Sequence, residues 1–311
     1  MLCCVPLLRA LKQYRPDSSI TLVASPVNFD IMRNNPFLDE VVLFDKRHPL
    51  RFVRRLRSRQ YDLSVVPCTV SMSFTSDGIA LASAAKLRVG ARSLNGVENP
   101  SAHFHNILVP LNWIDERHLH HAARNLDILK PLGVSTGDLS TVVGLTREER
   151  QWASEFLNEQ CGESRPRVGY HSGAGKRSNR WPASRFAQLA NLLAEKAGAQ
   201  TILTSGPKDD KPTEEVLSIL KHKSVVVRDR TIREVAAVID QLDLFVTNDT
   251  GVMHVAGGTS TPVLSLFGPT DPLQWAPIGR KNRSILSGNG MMASIAVERV
   301  AAEAVEMLQN C

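Results

Sequence analysis

Residues 245–271, FVTNDTGVMHVAGGTSTPVLSLFGPTD, constrain the fold of this chain more than any other stretch. The stretch opens on a short apolar run rich in β-branched and aromatic residues, which predicts a buried strand that ends at a turn over residues 248–251. A short helix of barely two helical turns is predicted to follow, and Gly257 and Gly258 end it. A second apolar run at 262–267 predicts another buried strand. The predicted unit is therefore β-α-β, with its two strands parallel.

The turn between the first strand and the helix suggests an anion site. A helix N-terminus behind a glycine offers unpaired N–H groups and a positive dipole end, and a diphosphate is the natural guest. His254 lies one turn inside the predicted helix and adds a second positive group. The carboxylate of Asp249 would repel an anion, so we expect it to accept hydrogen bonds from sugar hydroxyls. The alternative is structural: Asp249 or Thr250 only caps the helix, and His254 is a satisfied core histidine.

This stretch resembles a known family. The run NDTGVMHVA at 248–256, followed by TP at 261–262 and FGPTDP at 267–272, is similar to the C-terminal signature of the family 9 glycosyltransferases, the bacterial ADP-heptose:lipopolysaccharide heptosyltransferases. The resemblance implies a GT-B fold, two Rossmann-like domains with parallel sheets, in which the second domain mainly holds the sugar nucleotide. It also implies that Thr250, Gly251 and His254 hold the donor diphosphate. Asp249 would then hold the heptose.

Composition limits the class of protein. The chain has 311 residues, of which 43% are apolar and 22% charged, and this fits an α/β protein of two domains. No stretch approaches the roughly 18 uninterrupted apolar residues that indicate a membrane helix, and no secretion signal precedes the first element. The five cysteines are scattered and lack CxxC spacing, so we expect reduced thiols in a cytoplasmic protein rather than disulfides or a zinc site. The net charge of +6 suggests an anionic partner.

The predicted first domain, residues 1–145, opens on a helix that begins near Pro6. Strands are predicted at 20–24, 41–44 and 63–66, with helices between them, so parallel winding is the simplest topology. In the family that the chain resembles, a strand and a Gly-Asp turn come before this helix, and the aspartate, the proposed catalytic base, lies six residues before the proline. Counting back from Pro6 places that aspartate immediately before Met1.

We therefore assign no catalytic base in this chain and expect the first strand of the N-terminal domain to be missing. The hypothesis that explains this is a truncated sequence. In-frame codons upstream of Met1 for a short apolar strand ending in Gly-Asp would support it. A stop codon or unrelated sequence there would instead indicate a degenerate protein.

Two stretches of the first domain suggest an acceptor surface. Residues 46–59, KRHPLRFVRRLRSR, hold seven Lys or Arg and no acidic residue. They are either a solvated helix face or a surface that attracts phosphorylated lipid A, inner-core sugars or the anionic leaflet that carries them. Residues 95–105 are loop-like and border the predicted acceptor cleft. His118, His120 and His121 invite a metal interpretation, but their spacing puts them on different faces of a helix predicted to run through Leu132, so we predict no metal there.

The predicted second domain, residues 146–311, begins with a capping box at Thr146 and Glu149. A strand at 167–171 leads into the loop SGAGKRSNRWP at 172–182 and then into a helix. The buried face of that helix is predicted to consist of Phe186, Leu189 and Leu193.

The loop at 172–182 is a second candidate contact for the diphosphate. Backbone N–H groups from Ser172 and Gly173 through Gly175, with a cation from Lys176 or Arg180, can wrap the anion from the other side. The alternative is a surface loop in which Trp181 merely packs.

The resemblance at this loop is imperfect. Some heptosyltransferases carry a donor-contacting lysine two residues before the tryptophan, and Asn179 stands at that position here. Whether Lys176, Arg177 or Arg180 supplies the charge is left open.

Three further features complete the second domain. After a strand at 201–204, Asp209 or Asp210 is placed to reach ribose hydroxyls, although either carboxylate fits a solvated loop equally well. Thr231 and Glu234 form another capping box. The amphipathic run at 297–308 predicts a final helix. In GT-B proteins such a helix usually packs back across the domain junction.

The resemblance thus implies an inverting heptosyltransferase with ADP-heptose as donor and the lipopolysaccharide inner core as acceptor. In the family's scheme a carboxylate deprotonates the acceptor hydroxyl, while positive groups stabilise the leaving ADP. We expect neither a metal nor another cofactor, and no nucleic-acid partner; contact with an anionic membrane surface fits the basic stretch. The alternatives are a degenerate nucleotide-sugar binder without the base, or another GT-B enzyme such as a nucleotide-sugar epimerase acting on a uridine donor.

Overall fold

The computed structural model describes residues 1–162, 166–207 and 209–309. It divides into two compact units, Met1–Leu139 (unit 1) and the chain from Ser140 onward (unit 2). In the described residues, no helix combines the length and apolar character needed to span a membrane. The assignment of residues 1–145 to an acceptor side and 146–311 to a donor side stays a prediction.

Unit 1 alternates helices with short strands. In chain order its elements are α1 (Val5–Tyr14), β1 (Thr21–Ala24), α2 (Pro26–Met32), β2 (Glu40–Leu43), α3 (Pro49–Arg57), β3 (Leu63–Val65), α4 (Phe74–Ala82), β4 (Leu87–Leu94), β5 (Val97–Glu98), β6 (Ile107–Leu111) and α5 (His121–Leu126). The predicted opening helix and the three strands that follow it are confirmed to within about two residues. The strands form two separate sheets, a parallel β1-β2 pair and a four-stranded sheet in which β4 pairs with β3, β5 and β6.

One prediction for unit 1 was wrong in part: residues 95–105 are not simply a loop. Asn95 and Gly96 both have positive φ, 51° and 84°, and they form the two-residue turn of a hairpin between β4 and β5. An Asn-Gly pair suits such a turn because both central residues of a type I′ turn need positive φ. A 3₁₀ helix at Ala102–Phe104 follows.

The histidine-rich stretch also differs from its prediction. The α-helix ends at Leu126 and continues as a 3₁₀ helix over Asp127–Leu132, which contains Pro131. Proline has no N–H to donate to the carbonyl four residues back, so the α-helical pattern cannot persist there. His118 and His120 precede the helix, and His120 caps it by accepting a hydrogen bond from the amide of Ala122.

Unit 2 is built on one parallel sheet of six strands. Its elements are α6 (Arg147–Cys161), β7 (Arg167–His171), α7 (Ala183–Ala197), β8 (Gln200–Thr204), α8 (Asp210–Leu217), β9 (Ser224–Val227), α9 (Ile232–Ile239), β10 (Leu244–Asn248), α10 (Gly251–Gly257), β11 (Val263–Phe267), α11 (Pro272–Trp275), β12 (Arg283–Leu286) and α12 (Val297–Gln309). The strand order is β12-β11-β10-β7-β8-β9. The order therefore reverses between β7 and β10, which are hydrogen-bonded neighbours.

The central strands of unit 2 are covered on both faces. Every residue of β7, β10 and β11 is buried, as expected for a parallel sheet with helices on both sides. Phe186, Leu189 and Leu193 of α7 are fully buried in this core, as predicted. Both predicted capping boxes, at the starts of α6 and α9, are confirmed. The final helix α12 packs against α7 in the same core.

Candidate functional site

The candidate site lies at the carboxyl ends of β7 and β10. In open parallel α/β sheets, ligands bind at the carboxyl edge where the strand order reverses, because the loops diverge there and leave a crevice. In unit 2 this reversal falls between β7 and β10. The two stretches singled out from the sequence, residues 172–182 and 248–251, directly follow these two strands.

The turn after β10 places unpaired amides at this edge. Thr250 is the N-cap residue of α10, with an extended backbone (φ −153°, ψ 168°), and its carbonyl accepts a hydrogen bond from the amide of Met253. The side chain of Thr250 makes no capping hydrogen bond. Gly251 is exposed, and within the described chain the amides of Gly251 and Val252 find no acceptor. These N–H groups are the orphan donors that every helix start leaves.

Asn248 joins the two loops. Its side chain is fully buried, and its Nδ2 donates to the carbonyls of Ser172 and Gly173, each at 3.1 Å. Its Oδ1 accepts from the amide of Trp181 at 2.9 Å. One side chain therefore fixes both ends of the loop that follows β7.

Asp249 is held by two other loops. Its Oδ2 accepts hydrogen bonds from Nδ2 of Asn179 at 3.0 Å and from Oγ1 of Thr270 at 2.8 Å. Partial burial raises the pKa of this carboxyl, while the bond from Thr270, the charge of Lys176 and the bond from Asn179 act in the opposite direction. Asp249 bonds to none of the first amides of α10, so the structure does not support the capping alternative for it.

The three candidate cations differ in their surroundings. Arg180 is half-buried and donates twice to the carbonyl of Ala174, at 2.9 and 2.7 Å, so it braces its own loop. Lys176 and Arg177 are exposed, and of the two only Lys176 acts on the pKa of Asp249. Trp181 is 1% exposed and donates its Nε1–H to the carbonyl of Ile295, so it packs in the core.

Asp209 and Asp210 face different surroundings. Asp210 has an exposed side chain 3.5 Å from Arg228. The carboxylate of Asp209 lies instead over the loop after β7, since a Cβ placed on Gly173 would approach its Oδ1 to 2.1 Å. Its Oδ2 is 3.6 Å from Nε2 of His171, the last residue of β7. Burial lowers the pKa of His171, so a neutral ring is favoured there.

His254 lies half-buried on α10, with its ring centroid 6.2 Å from that of Trp275 on α11. Residues 1–162, 166–207 and 209–309 contain no cluster of three or more His, Cys, Asp or Glu suited to a metal ion.

Four residues of this cluster were not assigned a role from the sequence: Asn248, Thr270 and His171, and Asn179 as a partner of Asp249. Asn248 and Thr270 both stand inside the matched run, and Asn248 is next to Asp249. The sequence feature that could have marked them is their position, Asn248 at the end of β10 and Thr270 in the turn that follows β11. Nothing in the local sequence of His171 marks it.

Solved structures define the class of fold. The structure of a family 9 glycosyl transferase from Veillonella parvula matches the full chain with a TM-score of 0.86, at 22% identity and over 94% of its own length. The structure of ADP-heptose lps heptosyltransferase II from E. coli also matches the full chain, with a TM-score of 0.84, at 23% identity and over 95% of its length. The fold is therefore the parallel α/β, GT-B arrangement predicted from the sequence.

The sequence comparisons define the family. The model of glycosyltransferase family 9 (heptosyltransferase) matches residues 49–303, well over half of the chain. Lipopolysaccharide heptosyltransferase 3 of Escherichia coli K12 is 26% identical over 292 residues, which cover 89% of this chain and 81% of that protein. The chain belongs to glycosyltransferase family 9 and is a transferase.

Proposed function

We propose that this enzyme moves heptose from ADP-heptose to the inner core of lipopolysaccharide, with inversion at the anomeric carbon. The observation that carries the donor half is the pairing of two glycine-bearing loops at the strand-order reversal of unit 2. The similarity to lipopolysaccharide heptosyltransferase 3, which extends over most of both chains, supports the acceptor class. Residues 146–311 are proposed as the donor domain and residues 1–145 as the acceptor domain.

The diphosphate is proposed to lie between the two loops. Asn248 holds the carbonyls of Ser172 and Gly173, and because the peptide unit is planar and trans, the next amides, those of Gly173 and Ala174, point the opposite way. The free amides at the start of α10 are the complementary donors. His254 and Lys176 add positive charge, so the charge of the leaving ADP can be met without a metal or another cofactor.

Asp249 is proposed to bind the donor sugar and Asp209 the ribose. Asp249 is not proposed as the general base, because the resemblance to the family assigns it to the donor sugar. The placement of Asp209 beside His171 and over Gly173 supports a contact at the nucleoside end of the loop. No residue of this chain is proposed as the base.

The acceptor is proposed to bind unit 1. An open depression of about 550 Å³ there is lined in part by Phe74, Asn95 and Asn99. Asn99 and Ser101 are fixed from behind by the buried carboxylate of Asp77, to which they donate at 3.1 and 2.6 Å. The basic stretch at 46–59 supports contact with an anionic surface, and we propose a cytoplasmic enzyme that associates peripherally with the inner membrane.

Binding and transfer are tested separately. Calorimetry with ADP and UDP should show tighter binding of ADP; tighter binding of UDP would favour an epimerase-like enzyme instead. Mass spectrometry of truncated core acceptors incubated with ADP-heptose should show the addition of one heptose. Binding of ADP without any transfer would favour the degenerate nucleotide-sugar binder.

A further inference from the structure

The two oxygens of Asp249 have different surroundings. Oδ2 accepts from Asn179 and Thr270, whereas Oδ1 meets no hydrogen-bond donor in the parts of the chain that are described. A half-buried carboxylate oxygen without a donor is costly unless a ligand or water satisfies it. The unsatisfied acceptor of this residue is therefore Oδ1.

The two donors come from the loops on either side of Asp249. Asn179 follows β7, Thr270 follows β11, and β10 lies between these two strands in the sheet. Parallel strands place their carboxyl ends at one edge, so three successive loops of the sheet meet at this carboxylate.

The loop that carries Asn179 is itself fixed. Asn248 binds both of its ends, and Arg180 closes it on the carbonyl of Ala174. Asn179 is 5% exposed, and its Oδ1 accepts from the hydroxyl of Ser178 at 3.2 Å, which leaves its Nδ2 directed at Asp249. The orientation of the carboxylate is thus set before any ligand arrives.

We propose that Asn179 and Thr270 are positioning residues that clamp Oδ2 of Asp249 so that Oδ1 is presented to the hydroxyls of the donor sugar. Both clamping groups are neutral, so the carboxylate keeps its full negative charge as an acceptor. Asn179 and Thr270 therefore affect binding of the sugar, whereas other residues bind the nucleotide. This inference rests on the proposed function, because it takes Asp249 as the sugar contact.

The test compares ADP with ADP-heptose by calorimetry in the full-length protein. The wild type should bind ADP-heptose more tightly than ADP. Thr270→Val and Asn179→Ala should each weaken ADP-heptose binding roughly tenfold, as expected when a charged hydrogen-bonding group loses its orientation, and leave ADP binding within about twofold. Thr270→Ser keeps the hydroxyl and should retain the wild-type ratio of the two affinities.

Thr259→Val is the matched control. It also removes a buried hydroxyl from unit 2, one that donates to the carbonyl of Ala256 at 2.7 Å and does not contact Asp249. The ratio of ADP-heptose affinity to ADP affinity in Thr259→Val should equal that of the wild type. If Thr270→Val and Asn179→Ala weaken both ligands equally, or change neither, the two residues are structural and the inference is wrong. A wild type that binds neither ligand would overturn the proposed donor site itself, and the inference with it.

Discussion

Asn248 and Asp249 are neighbours in the chain with separate partners. Asn248 is buried and bonds backbone groups of the loop after β7, so it acts on the shape of the site. Asp249 is half-buried and bonds only side chains, and one of its oxygens faces no protein donor in the described chain. The cations divide in the same way, since Arg180 braces the loop and Lys176 stands exposed near the carboxylate.

Lys176 and Arg180 should therefore differ when each is changed to alanine. Lys176→Ala removes an exposed charge and should weaken ADP binding severalfold, with a smaller salt dependence and an unchanged melting temperature. Arg180→Ala removes two hydrogen bonds to Ala174 and should lower the melting temperature as well as the affinity. Titrations at two salt concentrations, with thermal melts of both variants, check this. Equal melting temperatures for the two variants would contradict it.

The raised pKa of Asp249 predicts a pH-dependent cost to stability. A carboxyl whose pKa is higher in the folded protein than in the unfolded chain binds its proton more tightly when folded. Its charge therefore destabilises the fold at neutral pH, and the cost disappears as the pH falls through the folded pKa towards the ordinary value of 3.8. Asp249→Asn should melt higher than wild type at pH 7, by a margin that shrinks towards pH 4. A variant that melts lower at pH 7 would contradict this.

The roles of individual residues were only partly predictable. Asp249, Thr250, Gly251 and His254 stood out because their types and spacing fit a helix-end anion site. The partnership of Asn179 with Asp249 joins residues 70 positions apart, so no local pattern contains it. It becomes visible only when the strand order brings the two loops together.

Elements with strong local signals were predicted well. Strands β10 and β11 are buried on both faces and consist mainly of apolar residues, and the capping boxes of α6 and α9 are local four-residue patterns. The hairpin after β4 was missed although Asn95-Gly96 is its typical turn signal, because the strand that follows is only two residues long. The end of α5 was missed because Pro131 acts on the turn before it.

The start of α6 provides a test of how elements are joined. Glu149 completes the capping box with Thr146 and also pairs with the buried Arg233 of α9. Thr146→Ala should cost about 1 kcal/mol of unfolding free energy, the usual value for an N-cap. Glu149→Ala should cost about 3 kcal/mol or more, because it also leaves a buried guanidinium without its counter-ion.

Urea unfolding of both variants measures these costs. Thr231→Ala is the control, since it removes the equivalent cap of α9, where Glu234 pairs with the exposed Arg230 and not with a buried arginine of the described chain. We expect its cost to match that of Thr146→Ala. Equal costs for Thr146→Ala and Glu149→Ala would show that the ion pair between α6 and α9 contributes nothing.

The order of strands in unit 2 could not be predicted from the sequence. Sequence patterns indicate which runs are strands, but the order β12-β11-β10-β7-β8-β9 depends on pairings between distant segments. The order decides the site, since the direct pairing of β7 with β10 makes the two glycine-bearing loops neighbours at the carboxyl edge of the sheet. In the basic stretch of unit 1, the sequence likewise does not indicate which charges form ion pairs. The structure does.

The arginines of that stretch differ in whether they pair with a carboxylate in the described chain. Arg55 and Arg59 both contact Glu40, at 2.7 and 2.9 Å. Arg51 and Arg54 are exposed and meet no carboxylate among the residues that the structure describes. The double change Arg51→Ser with Arg54→Ser should weaken binding to anionic vesicles by about 2 kcal/mol, roughly thirtyfold.

The charge-matched control is Arg55→Ser with Arg59→Ser, which removes side chains held by Glu40 and should weaken vesicle binding much less. Sedimentation with phosphatidylglycerol vesicles at low and high salt measures both variants, and binding should fall as salt rises. Equal losses for the two double variants would indicate that only net charge matters.

The central claim is that the turn after β10 and the loop after β7 together bind the donor. A crystal structure of the protein with ADP-heptose tests it most directly. We predict diphosphate oxygens about 3 Å from the amides of Gly251 and Val252, with a sugar hydroxyl on Oδ1 of Asp249. A diphosphate bound elsewhere, with these amides facing only water, would contradict the claim.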